Sequence, residues 1–192
     1  MSYVLMYRRA FFVKQMLVVV DYQVDFVDGS LGFPEAELLD EGIAALVRSA
    51  AARGDYILYT MDTHGGDYLN SREGKSLPAV HCVETTIGWA LYGETSVALG
   101  EAEAMELKKT TFGVAPADML GLPEDVEQIT LVGLVSNICV ISNACVFQAR
   151  YPQAQVVVVR DLCASFDPAL HEKTMDVLAG LQVQVVKKEA VL

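Results

Sequence analysis

Short, densely apolar runs separated by helix-length segments leave a chain few ways to fold, and this sequence is built from them. Leu17–Asp21 reads LVVVD, Tyr56–Asp62 YILYTMD, Ile129–Leu134 ITLVGL and Gln155–Arg160 QVVVVR. Runs without polar alternation suit strands buried on both faces, as in a parallel sheet whose crossovers are helices. Ala104–Lys109 predicts a further short strand and Val183–Val186 a last one, about six in all. Helix-spaced apolar residues fill Leu38–Arg53, which ends at Gly54 as a C-cap, and helices are also predicted over Asn137–Arg150 and Ala169–Gly180. Residues 63–100, rich in Gly, Ser and Thr, predict a long irregular excursion, and loops of that size are usually functional. The expected fold class is α/β: a single doubly wound, Rossmann-like domain with a mostly parallel sheet and helices on both faces. It occupies residues 16–192, with 1–15 as an N-terminal extension, and 192 residues suffice for one such core but not for two.

Charge narrows the partners. With 14 basic against 25 acidic residues the net charge is −11, which repels phosphate backbones and anionic lipid, so neither nucleic acid nor a membrane is expected. The four cysteines, Cys82, Cys139, Cys145 and Cys163, form no CxxC pair, and free thiols suit a reducing, cytoplasmic setting. The opening MSYVLMYRRAFFVKQ carries Arg8 and Arg9 in its middle and no uninterrupted apolar run, which makes it a poor signal peptide and no membrane span. It reads as an extension to the first strand or as an upstream start ahead of Met16.

In doubly wound sheets, ligands bind beyond the carboxyl ends of the strands, near the switch in strand order. The polar residues expected there are Asp21, Asp62, His64, Lys109 and the Ser136–Cys139 turn. Cys139 falls where a strand turns into a helix, and a helix N-terminus together with the Lys109 ammonium would lower its thiol pKa. Asp21 could take the thiol proton and return it to a leaving amine, and the N–H groups of Val135 to Cys139 could hold an oxyanion. The plainer reading of Cys139 is a small buried apolar residue, and position alone leaves both open. Cys145, in mid-helix, is expected in the core. Asp62, His64 and His81, with Glu73 as a fourth, form a plausible set for Zn²⁺, Fe²⁺ or Mn²⁺, although D-x-H is a common string and a lone loop histidine is usually no ligand. Phe26, Phe112 and Trp89 either line an aromatic pocket or pack in the core. Asp25 and Asp28-Gly29 read as turn or capping residues. A dinucleotide reader would need GxGxxG after the first strand, where this chain has Asp21-Tyr22-Gln23-Val24-Asp25.

Four strings, taken in order, resemble the isochorismatase-like cysteine hydrolases, and among them the nicotinamidases. They are VVVDYQVDF (18–26), TMDTH (60–64) with SREGKSLPAVHC (71–82), KKTTF (108–112) and GLVSNICV (133–140). The resemblance spans roughly residues 16–187. It implies Asp21 as acid–base, Lys109 as the lysine and Cys139 as the nucleophile. It also implies Asp62, His64 and His81, possibly with Glu73, as ligands of a divalent metal cofactor. The nucleophile turn of the family contains a cis peptide before a small hydroxyl residue, which by match is Val135–Ser136, with the N–H groups of Val135 and Cys139 as oxyanion hole. Phe26 and Phe112 are the expected substrate-pocket residues. The implied reaction is hydrolysis of nicotinamide to nicotinate and ammonia through a cysteine thioester. The alternatives are hydrolysis of another small amide, carbamoyl or vinyl-ether compound and, further off, a non-catalytic binding module. The implied partners are a small-molecule amide and further copies of the chain in a homo-oligomer. The chain departs from the pattern at Leu77, where nicotinamidases carry an aromatic, with one extra residue before His81. Ser136 stands for the commoner threonine, and Asn143-Ala144-Cys145-Val146 for a Thr-Ala-x-Asp string.

Overall fold

Leu17 and Val19 of the first strand pack into one apolar cluster, and Met16, Val18 and Val20 into another on the opposite face. Burial on both sides explains why this stretch carries no polar alternation, and each such aliphatic side chain contributes about 1.5–3 kcal/mol. In the computed structural model, which describes residues 14–192, that strand lies at the centre of a six-stranded sheet. The strands are β1 (Gln15–Val20), β2 (Tyr56–Asp62), β3 (Met105–Lys109), β4 (Gln128–Gly133), β5 (Gln155–Cys163) and β6 (Gln184–Val186). Their spatial order is β3-β2-β1-β4-β5-β6 and every pairing is parallel, so "mostly parallel" becomes wholly parallel. The order reverses between β1 and β4, the switch point at which such sheets bind ligands.

The helices are α1 (Val24–Val27), α2 (Pro34–Glu37), α3 (Asp40–Arg53), α4 (Arg72–Ser76), α5 (Gly93–Glu101), α6 (Ile141–Arg150) and α7 (Pro168–Gly180). α3 and α5 cover one face through Ile43, Leu46, Val47, Ala98 and Leu99. α6 and α7 cover the other through Ala144, Phe147, Met175 and Leu178. Gly54 caps α3 at φ 77°, as its position predicted. Strand ends fall within a residue of the sequence expectation, except that β1 starts two residues early, at Gln15, and β5 runs on to Cys163.

Three expectations need correction. Residues 63–100 are not wholly irregular, since they contain α4 and the nine-residue α5. The cap of α5 comes from a distant residue: the Asp40 carboxylate accepts the N–H groups of Glu94 and Thr95 at 2.8 Å each, so no local string announces the helix. Cys145 is exposed, because the buried side of α6 is formed by Asn143, Ala144 and Phe147. The strand also starts at Gln15, one residue ahead of the boundary drawn from the sequence, and the rest of the N-terminal extension, residues 1–13, lies outside the described residues. Among the described residues, no helix is long and apolar enough to cross a membrane.

Candidate active site

Asp21 stands one residue past β1 with φ 45°, a left-handed conformation that Asp tolerates better than most residues. It is wholly buried, and its Oδ1 accepts the Thr60 hydroxyl at 2.6 Å. Lys109 ends β3, and its Nζ reaches Asp21 Oδ2 at 2.7 Å, Asp62 Oδ1 at 3.2 Å and Cys139 Sγ at 3.7 Å. Cys139 sits in a π-type turn, Ser136–Val140, between β4 and α6. The three residues expected to carry the chemistry therefore converge at the switch point, brought there by β1, β3 and the turn after β4.

Electrostatics in this knot differ from the sequence expectation. Burial pushes the Cys139 thiol well above its ordinary value, more than the Lys109 ammonium pulls it down, and the Asp21 carboxylate in hydrogen-bonding reach adds to the rise. The expected lowered thiol pKa is thus corrected: burial outweighs the pull of the ammonium. Burial raises the Asp21 carboxyl too, against the opposing pull of Lys109. Lys109 is driven the other way: burial lowers it, but Asp21, Cys139 and Asp62 together raise it and keep it cationic.

The cis peptide lies between Leu134 and Val135, one residue earlier than the expected Val135–Ser136. The Leu134 N–H is bound to Val20 O at 2.8 Å and the Ser136 N–H to Ala164 O at 2.8 Å. Between them, the buried Val135 N–H meets no acceptor among the described residues. Gly133, at φ 112°, lets the chain enter this turn, since a Cβ there would lie 2.2 Å from Val20 O.

Asp62, His64, Glu73 and His81 also meet. One donor atom from each lies within 4.8 Å of the others. His64 Nε2 and His81 Nε2 are 3.0 and 3.4 Å from Asp62 Oδ2, and 4.0 and 3.8 Å from Glu73 Oε1. Nδ1 of His81 donates to Ala79 O at 2.8 Å, which turns its Nε2 lone pair into the cluster. Two imidazoles and two carboxylates at these separations suit Zn²⁺, Fe²⁺ or Mn²⁺. Asp62 belongs to both groups, with Oδ2 towards the histidines and Oδ1 towards Lys109.

Phe26, Phe112, Val135, Asp62, Glu73, His81 and Cys139 all face one cavity of about 290 Å³. Leu77 faces it as well, at the place where the sequence departs from the family pattern, and so does Phe166. Trp89 does not; its Nε1–H donates to Thr63 Oγ1 at 3.0 Å and Lys108 covers its ring. Asp25 acts as a tie: its carboxylate accepts the N–H groups of Cys82 at 2.7 Å and Ser30 at 3.2 Å. Sequence reasoning passed over Gln23, inside the first quoted string. Its buried amide clasps Asp62, accepting Asp62 N–H at 2.8 Å and donating to Asp62 O at 3.0 Å, with a further bond to Trp89 O. A glutamine two residues after Asp21 was the available signal.

The isochorismatase domain model matches residues 15–190. The chain belongs to the isochorismatase family. A curated relative, the uncharacterized isochorismatase family protein PncA of Bacillus subtilis (strain 168), is 27% identical over 168 residues, which is 82% of this chain and 90% of that one. The crystal structure of nicotinamidase/pyrazinamidase PncA from Bacillus subtilis is 26% identical, with a TM-score of 0.81 over 91% of this chain and 100% of that one. The pyrazinamidase of Pyrococcus horikoshii, solved in complex with zinc, shares the fold at 20% identity, with a TM-score of 0.74 over 91% and 99% of the two chains. The family model and the likeness to the Bacillus subtilis structure place this member of the isochorismatase family on its nicotinamidase branch, as a hydrolase acting on amides.

Proposed function

We propose that this protein is a metal-containing nicotinamidase, hydrolysing nicotinamide to nicotinate and ammonia. The observation that carries the reading is one side chain shared by two groups: Asp62 joins the His64–Glu73–His81 cluster to Lys109, and Asp62, Glu73 and His81 line the same cavity as Cys139. The likeness to the Bacillus subtilis structure supports it.

Asp21 takes the Cys139 proton as the sulfur attacks the amide carbon, and Lys109 holds the charge that develops on the pair. The N–H groups of Val135 and Cys139 receive the oxyanion. Asp21 then gives its proton to the departing nitrogen, ammonia leaves and a thioester remains on Cys139. Asp21 next accepts a proton from water, the oxygen attacks the thioester carbon, and the acid leaves as the proton returns to sulfur. Asp62, His64, His81 and Glu73 would hold a divalent ion, which supplies a Lewis acid at the rim of the pocket when bound. Phe26 and Phe112 offer apolar faces to a flat ring.

A second reading keeps the same residues and changes the substrate to another small amide, carbamoyl or vinyl-ether compound; Leu77 in the cavity wall favours it. Ammonia release from nicotinamide, with metal content determined on the same sample, separates the two. Activity that falls on chelation and returns with Zn²⁺, Fe²⁺ or Mn²⁺ is the expected result. A metal-loaded protein that releases no ammonia from nicotinamide defeats the first reading. A small-molecule substrate, a cytoplasmic setting and a homo-oligomer complete the proposal.

A further inference from the structure

Asn143 lies in the first turn of α6, fully buried, four residues beyond Cys139. Its Nδ2 donates to Cys139 O at 2.8 Å and to Phe112 O at 3.1 Å, and its Oδ1 accepts Val114 N–H at 3.0 Å. The orientation is forced, because two carbonyls need two N–H donors and the Val114 N–H needs an acceptor; a turned amide would set donor against donor. One bond is local to the helix. The other two reach about thirty residues back, to the segment that follows β3 and carries Phe112.

The Phe112 ring lines the cavity but is 38% exposed, so core packing does little to fix it, and its backbone must. The Phe112 carbonyl and the Val114 N–H end on the same amide that holds the Cys139 carbonyl. No other side chain bridges that segment and the Ser136–Val140 turn in this way among the described residues. A threonine has one hydroxyl and could satisfy at most two of the three groups. Alanine satisfies none, and aspartate has no hydrogen to offer either carbonyl.

We infer that Asn143 is a positioning residue that sets the separation between the Phe112 wall and the Cys139 sulfur, and so the preference of the site for flat aromatic acyl groups. This rests on the proposed role of Cys139 as nucleophile.

The test is alkylation of Cys139 in full-length protein carrying Cys145→Ser, which removes the exposed thiol. The probes are iodoacetamide and its N-phenyl derivative, used at alkaline pH with the label located by peptide mass spectrometry. The ratio of the two rates, taken on samples whose fold is checked by circular dichroism, reads the wall. We expect unsubstituted protein to favour the aryl reagent. Asn143→Ala and Phe112→Ala should each lower that ratio roughly tenfold, with Asn143→Thr between, and the double variant should fall no further than either single one, since contacting residues are not additive. In Asn143→Ala the iodoacetamide rate itself should stay within about twofold, whereas general loss of fold would expose the buried Cys139 and raise it. An unchanged ratio in Asn143→Ala, losses that multiply in the double variant, or no aryl preference before substitution would each overturn the inference. Ammonia release from nicotinamide is measured in parallel. A normal ratio pattern without ammonia refutes the nicotinamidase reading alone, and ammonia with an unchanged ratio refutes the role of Asn143 alone.

Discussion

Replacing Lys109 with methionine removes the one cation at the centre of the site while keeping a side chain of similar length. Its Nζ lies 2.7 Å from Asp21 and 3.2 Å from Asp62, and both carboxylates are buried. At an effective dielectric of about 20, the two attractions amount to about 6 and 5 kcal/mol. Against this gross loss of about 11 kcal/mol stands the ammonium's desolvation, several kcal/mol, which the variant no longer bears. Relief by protonation of Asp21 offsets more, leaving a net loss of about 3–5 kcal/mol, as for other buried pairs that lose one partner. For a chain of this size that is a fall in Tm of roughly 6–20 °C, read by calorimetry on metal-free samples.

The pH dependence has a definite sign. Burial already raises the Asp21 carboxyl above its unfolded value, and losing Lys109, the main opposing influence, raises it further. A raised carboxyl penalises folding only once pH climbs past the unfolded pKa of about 3.9, and the penalty grows until pH reaches the folded value. The deficit of Lys109→Met should therefore widen from pH 4 towards neutrality, and Asp21→Asn placed on top should recover part of it. A variant within about 2 °C of the wild type at pH 7, or a deficit that widens on acidification, would refute the reasoning.

Other outcomes follow from the same geometry. Gly133→Ala should cost about 2–5 kcal/mol, from a Cβ facing Val20 O at 2.2 Å and a φ of 112°; an unchanged Tm would contradict that contact. Iodoacetamide should label Cys139 slowly at pH 7 and faster as pH rises, since burial raises the thiol; a fast rate, flat from pH 6 to 8, would mean a resting thiolate. Asp62→Ala and His81→Ala should each weaken Zn²⁺ binding by more than the about 10–100-fold typical of outer-shell changes, measured by competition with a chelator. Binding at wild-type strength in both would remove that cluster as the metal site.

The sheet was legible because β1, β4 and β5 are buried on both faces and carry apolar runs with little polar alternation. The site followed from where those strands stop, and four quoted strings pointed to the same edge. What stayed hidden depended on distant partners. α5 is capped by Asp40, some fifty residues earlier, and its Gly, Thr and Ser content reads locally as loop. The raised thiol of Cys139 depends on how completely the fold closes over it, whereas the sequence offered only a helix N-terminus and a lysine. The exposure of Cys145 turned on which side of α6 faces the sheet. Gln23 and Asn143 act through backbone groups far along the chain, for which no spacing rule exists.

The central claim is that Cys139 carries the acyl group during amide hydrolysis. Its most direct test is acid quenching of metal-loaded protein during turnover of nicotinamide, followed by peptide mass spectrometry. The account predicts a nicotinoyl adduct on the peptide containing Cys139, released by hydroxylamine and absent from Cys139→Ala, which should also release no ammonia. Undiminished ammonia release by Cys139→Ala, with no adduct on the wild-type protein, would contradict it.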